Sequence, residues 1–120
     1  MNDRLGRLRQ RFLDEQLDAL LVTSAPNRRY LSGFTGSAGA LLITADHALL
    51  LSDFRYQTQG TREAPAFEFR LVPNGALVEH LPGIVRSRTI DRLGFEANDL
   101  TVAQYAQLQE SFGRAQVAVE

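Results

Sequence analysis

Cysteine does not occur among these 120 residues, and neither does lysine. Without cysteine, disulfides and thiolate metal sites are excluded. All 13 basic residues are therefore Arg, set against 14 acidic ones for a formal charge of -1. A nucleic-acid surface needs clustered positive charge, and this balance does not supply it. The exclusive use of Arg reads as compositional bias, not as a binding signal. Long apolar runs are missing too. None approaches the ~20 residues of a membrane span, and the charged stretch from Met1 to Arg11 leads into no signal-peptide core. The expectation is a soluble cytoplasmic protein with no membrane or nucleic-acid partner.

What is present is an ordinary globular composition, 44% hydrophobic and 22% charged. A chain of this size makes one domain and buries roughly two-thirds of its unfolded surface. Leu5, Leu8 and Phe12 recur at helical spacing behind a cap at Asn2 or Asp3. Arg4, Arg7 and Arg11 form a second stripe on that helix, read as a solvated face in preference to an anion site. Ala19 to Thr23 is an apolar run of strand length, without the alternation of a half-exposed strand. Pro26 suits the first turn of a short helix over Asn27 to Leu31. Ala40–Ile43 and Ala48–Leu51 read as two strands, and the short gap between them requires antiparallel pairing. Asp53 is placed to cap a helix starting near Phe54. Phe67, Phe69 and Leu71 alternate with Glu68 and Arg70 as a strand with one wet face. Ala76 to Arg88 reads as a helix interrupted at Pro82-Gly83, and Arg92 to Phe95 as a strand. Thr101 and Gln104 form a capping box for a helix carrying Tyr105, Leu108 and Phe112, and Val117 and Val119 end the chain as a strand. The order predicts an α/β domain: a mixed sheet of about six strands flanked by helices.

Few of the motifs carry chemistry. Gly33, Gly36 and Gly39 punctuate a loop that follows a helix and enters a strand, with no G-x-G-x-x-G spacing and no Lys behind it. A structural turn needing glycine backbone conformations fits better than a phosphate cradle. His47 and His80 read as surface histidines, because neighbouring carboxylates on one element point elsewhere. Serines are plentiful but G-x-S-x-G is absent. Asp53 has a complete explanation as a cap. No catalytic and no metal-ligating residue is assigned.

Two stretches change the picture. Asp18-Ala19-Leu20-Leu21-Val22-Thr23, followed by Asn27-Arg28-Arg29-Tyr30-Leu31-Ser32-Gly33-Phe34-Thr35-Gly36-Ser37, resembles the N-terminal domain of creatinase/prolidase-family Xaa-Pro peptidases, aminopeptidase P included. Leu50 to Gln59 resembles that family's Thr-Asp-Gly-Arg-Tyr stretch, with Ser52 and Phe54 as departures. Gly94-Phe95-Glu96 and the Tyr105 helix fit in order. The resemblance implies a ribonuclease H-like six-stranded domain over residues 1–120, preceding a pita-bread catalytic domain that is not in this chain. That second domain would bring two divalent metals, often manganese, with none in this part. The resemblance further implies a homodimer in which this domain packs over the neighbour's active site and limits the length of a proline-containing peptide substrate. Arg55 and Tyr56 are then candidates for the substrate entrance in trans, since a guanidinium binds carboxylates bidentately. The other reading makes them a surface Arg and a packed Tyr at a helix start.

The last strand reaches Glu120 with no tail, which suggests a domain trimmed from a longer chain. Two further classes stay open: an interaction module of a catalytically dead family member, such as a histone-chaperone subunit, and a free-standing ligand-binding α/β domain.

Overall fold

The computed structural model describes residues 3–73, 80–81, 83–84, 90, 92–96, 99, 101–115 and 118–119. The elements follow the expected order. Helix α1 spans Asp3–Glu15, β1 Ala19–Val22, α2 Ala25–Ser32, β2 Ala40–Thr44 and β3 Ala48–Ser52. A 3-10 turn at Phe54–Tyr56 opens α3, Gln57–Glu63, before β4, Glu68–Leu71. Then come β5, Arg92–Phe95, α4, Val102–Ala115, and β6, Ala118–Val119. His80–Leu81 and Gly83–Ile84 are helical. The rest of the helix expected over Ala76–Arg88 lies outside the described residues, as do Asn2 and Val117.

The sheet has six strands in the order β4-β3-β2-β1-β5-β6. The β2–β3 hairpin pairs Ala40 with Leu51 and Ile43 with Ala48, antiparallel as the three-residue gap requires. β1 also opposes β2, whereas β1–β5, β3–β4 and β5–β6 are parallel. One strand, β2, therefore runs against all the others.

Strand side chains alternate between faces, and the apolar runs divide accordingly. Ala19, Leu21, Leu42, Leu49, Leu51 and Leu93 gather on one face with Leu81 and Leu108. Val22, Leu41, Ile43 and Leu50 gather on the other with Leu5, Phe12, Phe34 and Phe67. The absence of alternation in Ala19–Val22 thus reports a strand covered on both sides. Arg4 departs from the solvated stripe expected of it. Its guanidinium bonds the Tyr30 carbonyl at 2.6 Å and lies 4.2 Å from that ring's centroid, tying α1 to α2. Arg9 does the same for the hairpin turn, through the carbonyls of Thr44 (2.7 Å) and His47 (2.9 Å).

Candidate functional site

With only β2 reversed, the carboxyl ends of β1, β3, β4 and β5 share one edge of the sheet, where residues 33–39 enter β2. In open α/β sheets such an edge is the usual place for ligands. Here it gathers Thr23, Asp53, Glu96 and the glycine loop.

Asp53 does more than cap. Its carboxylate, 3% exposed, accepts from the Arg55 backbone N–H at 3.0 Å and from Arg55 Nε and Nη2 at 2.8 and 2.9 Å. The Arg55 side-chain bonds hold this carboxyl below the usual range, against the upward push of burial, and Asp53 in turn raises the guanidinium. The side-on Nε/Nη2 fork of Arg55 is therefore occupied by its own chain. Its side chain remains half-exposed, and Nη1 makes no hydrogen bond among the described residues. The guanidinium carbon also lies 5.2 Å from the Tyr56 ring centroid.

Tyr56 links this pair to the loop. Its hydroxyl meets Ser37 Oγ at 2.6 Å, and Phe34 packs edge-on to its ring, with centroids 5.6 Å apart. The Ser37 hydrogen bond pulls the phenol below its ordinary pKa, against burial. Phe34 is itself fully buried and lines a cleft of about 450 Å³ with Ala25, Pro26, Arg29, Thr35 and Gly36.

The three loop glycines are constrained in two ways. Gly33 closes α2 in the left-handed region at φ 89°, and a Cβ there would sit 2.8 Å from the Glu63 carbonyl oxygen. Gly39 has φ 150°. Gly36 differs from the expected backbone constraint: its φ lies outside the left-handed region, and what a Cβ would meet is the Phe34 ring. Glu63 holds the loop from α3, accepting from the Thr35 N–H at 2.9 Å, and that bond leads the lowering of its pKa.

Two groups at this edge escaped sequence reasoning. Glu96, just past β5, accepts from the N–H groups of Thr23 (2.6 Å) and Ser24 (2.8 Å), from Ser24 Oγ and from Asn27 Nδ2. It so occupies the N-terminus of α2, which Ser24 caps. Burial pushes its carboxyl up, but the bonds from Ser24, Asn27 and Thr23 outweigh that and hold it low. Arg28 is buried and donates to the carbonyls of Thr23 (2.7 Å) and Gly36 (3.3 Å). Burial lowers its pKa, opposed by the charges of Asp99 and Glu96. The Ser24-x-Pro26 start was a readable cap signal. Nothing local announces a partner 72 residues away.

Among the described residues no serine hydroxyl bonds a histidine. Ser24 bonds Glu96, Ser32 the Arg28 carbonyl, Ser37 Tyr56 and Ser52 the Ala38 carbonyl. His47 lies in the hairpin turn at the opposite end of β2, exposed. Its Nδ1 contacts Asp46 at 2.9 Å, so these neighbours do meet, contrary to the divergence expected of them. Among the described residues no group of three or more His, Asp or Glu side chains could hold a metal.

Residues 4–119 match the creatinase/prolidase N-terminal domain family. The chain belongs to it. The peptidase YqhT of Bacillus subtilis, itself uncharacterized, is 41% identical over 103 residues, which is 86% of this chain and 29% of that protein. The creatinase/prolidase N-terminal domain seen here superposes on the N-terminal domain of the cytoplasmic peptidase PepQ from Mycobacterium tuberculosis with a TM-score of 0.90, at 34% identity. That match covers 100% of this chain and 92% of that one. The Xaa-Pro dipeptidase of Bacillus anthracis matches with a TM-score of 0.87 and 31% identity, over 98% of this chain but 32% of its own. The domain thus spans about a third or less of the full-length proteins named here. No helix among the described residues is long and apolar enough to cross a membrane.

Proposed function

We propose that this domain is the non-catalytic N-terminal part of a cytoplasmic Xaa-Pro metallopeptidase, of dipeptidase or aminopeptidase P type, and that it shapes the substrate entrance of a homodimer. The observation that carries the reading is the match of nearly the whole chain, residues 4–119, to a domain that fills only 29% of YqhT and 32% of the Bacillus anthracis dipeptidase. Hydrolysis before proline then belongs to a C-terminal catalytic domain. The ligands for two divalent metals, manganese by expectation, belong there as well in this reading. When bound, such a metal pair supplies a hydroxide nucleophile and polarises the scissile carbonyl.

In this reading Arg55 and Tyr56 face the neighbouring subunit's entrance. Asp53 fixes the guanidinium by two side-chain bonds, which leaves Nη1 and the second Nη2 hydrogen for a substrate carboxylate. A fixed donor loses less freedom on binding than a mobile one. Arg55→Ala in the full-length enzyme should raise KM for Xaa-Pro dipeptides by roughly ten- to hundredfold, the equivalent of one charge-assisted bond. Longer peptides, whose carboxylate lies further out, should respond less. Mixed dimers of Arg55→Ala and metal-ligand-dead subunits test the in-trans geometry. The live metal site then receives an intact Arg55 from the dead subunit, and its efficiency per site should match wild type. Impairment of that site would assign Arg55 to its own subunit instead.

A further inference from the structure

Among the described residues the outer edge of β4 is open, since β4 stands first in the strand order and pairs there only with β3. Val72 donates its N–H to the Ser52 carbonyl, so its backbone faces β3. Backbone direction alternates along a strand, and the N–H and C=O groups of Phe69 and Leu71 therefore point outward. Such an edge is a template for another strand unless something blunts it. Charge of one sign would do so, but β4 reads Glu68-Phe69-Arg70-Leu71, with opposite signs at alternate positions. Glu68 and Arg70 share a face, are substantially exposed, and approach each other at only 3.8 Å. Beside them Leu71 is 58% exposed.

We infer that the β4 edge pairs with the β4 edge of a second copy of this chain, antiparallel about a two-fold axis at Phe69. In that register Phe69 faces the partner's Phe69 and the two exchange both backbone hydrogen bonds, as outward-facing residues can. Glu68 then stands opposite the partner's Arg70, and Arg70 opposite the partner's Glu68. Both reciprocal pairs are attractive. The competing registers are poorer. Centring on Arg70 opposes two guanidinium groups, and centring on Leu71 places Pro73, which has no N–H, opposite Phe69. Pro65 and Pro73 bracket the strand, so pairing is confined to a short window. The contact is accordingly of the small, transient class, below about 1,200 Å².

Sedimentation equilibrium of the 120-residue chain over a concentration series tests this without reference to peptidase activity, so its failure leaves the proposed function standing. The expected result is a weak monomer–dimer equilibrium. Glu68→Arg and Arg70→Glu should each weaken it by roughly tenfold or more, since both reciprocal pairs turn repulsive. Both side chains are solvent-facing, so the melting temperatures should stay near the parent's, which separates loss of pairing from loss of fold. Mixing the two single variants restores opposite charges at both positions and should recover a heterodimer of parental strength. A chain that stays monomeric throughout overturns the inference. So does a dimer indifferent to both variants, a mixture that recovers nothing, or an edge that takes up an unrelated extended peptide but not a second copy.

Discussion

Phe34→Ala should destabilise the domain by about 3–5 kcal/mol, the range for emptying a buried aromatic site. Phe34 is fully buried although it lies in a loop, and it joins the core on the α1 side of the sheet while its ring packs on Tyr56. The loop, the Tyr56–Ser37 bond and the wall of the adjoining cleft therefore rest on one ring. Gly36→Ala should cost about 1–3 kcal/mol by overpacking that ring. The two costs should not add. With the ring gone the new methyl meets no obstacle, so Gly36→Ala in the Phe34→Ala background should be close to neutral, a coupling on the order of 1 kcal/mol or more. Urea denaturation of the four proteins measures this. Strict additivity would mean that something other than Phe34 excludes a side chain at position 36.

Glu96→Ala should cost roughly 2–4 kcal/mol, because it leaves the Thr23 and Ser24 N–H groups and the Asn27 amide without their acceptor in a half-buried site. For a domain of this size that is a fall in Tm of about 10 °C. Glu96→Gln keeps an acceptor and should cost less. The pH dependence has a definite sign. The hydrogen bonds hold the folded-state pKa of Glu96 below its unfolded value of about 4.3. Its contribution is thus fully present above that value and is lost as pH falls through the folded pKa. Glu96→Gln should therefore flatten the acid limb of the stability profile below about pH 4. Asp53 and Glu63, whose pKa values are also lowered, keep part of that limb in every Glu96 variant. An acid limb unchanged by Glu96→Gln would remove Glu96 from the account.

These residues also mark what could be read in advance. The hairpin was legible because four residues between two apolar runs leave only an antiparallel return. The double burial of β1 was legible from its missing alternation, and the last helix shows the Thr101–Gln104 box in both directions, at 2.9 and 3.1 Å. The Asp53 cap was local as well. Its fork onto Arg55 spans only two residues, yet assigning the cap hid it, because a carboxylate that already has one role invites no search for a second. Glu96 and Arg28 were illegible for a different reason. Their partners lie across the strand order, and only the β1–β5 pairing brings Glu96 to the start of α2. Gly36 was misassigned because glycine in a loop suggests backbone freedom first, whereas here the constraint is a side chain two positions earlier.

The central claim, that this is the non-catalytic N-terminal domain of an Xaa-Pro metallopeptidase, is tested most directly by one comparison. Turnover of an Xaa-Pro dipeptide with added manganese is measured for the 120-residue chain and for the full-length protein that carries it. The account predicts no turnover by the chain at any metal concentration, and metal-dependent turnover by the full-length protein. Turnover proportional to the amount of the 120-residue chain, or a full-length protein inert with every Xaa-Pro substrate and metal, would contradict it.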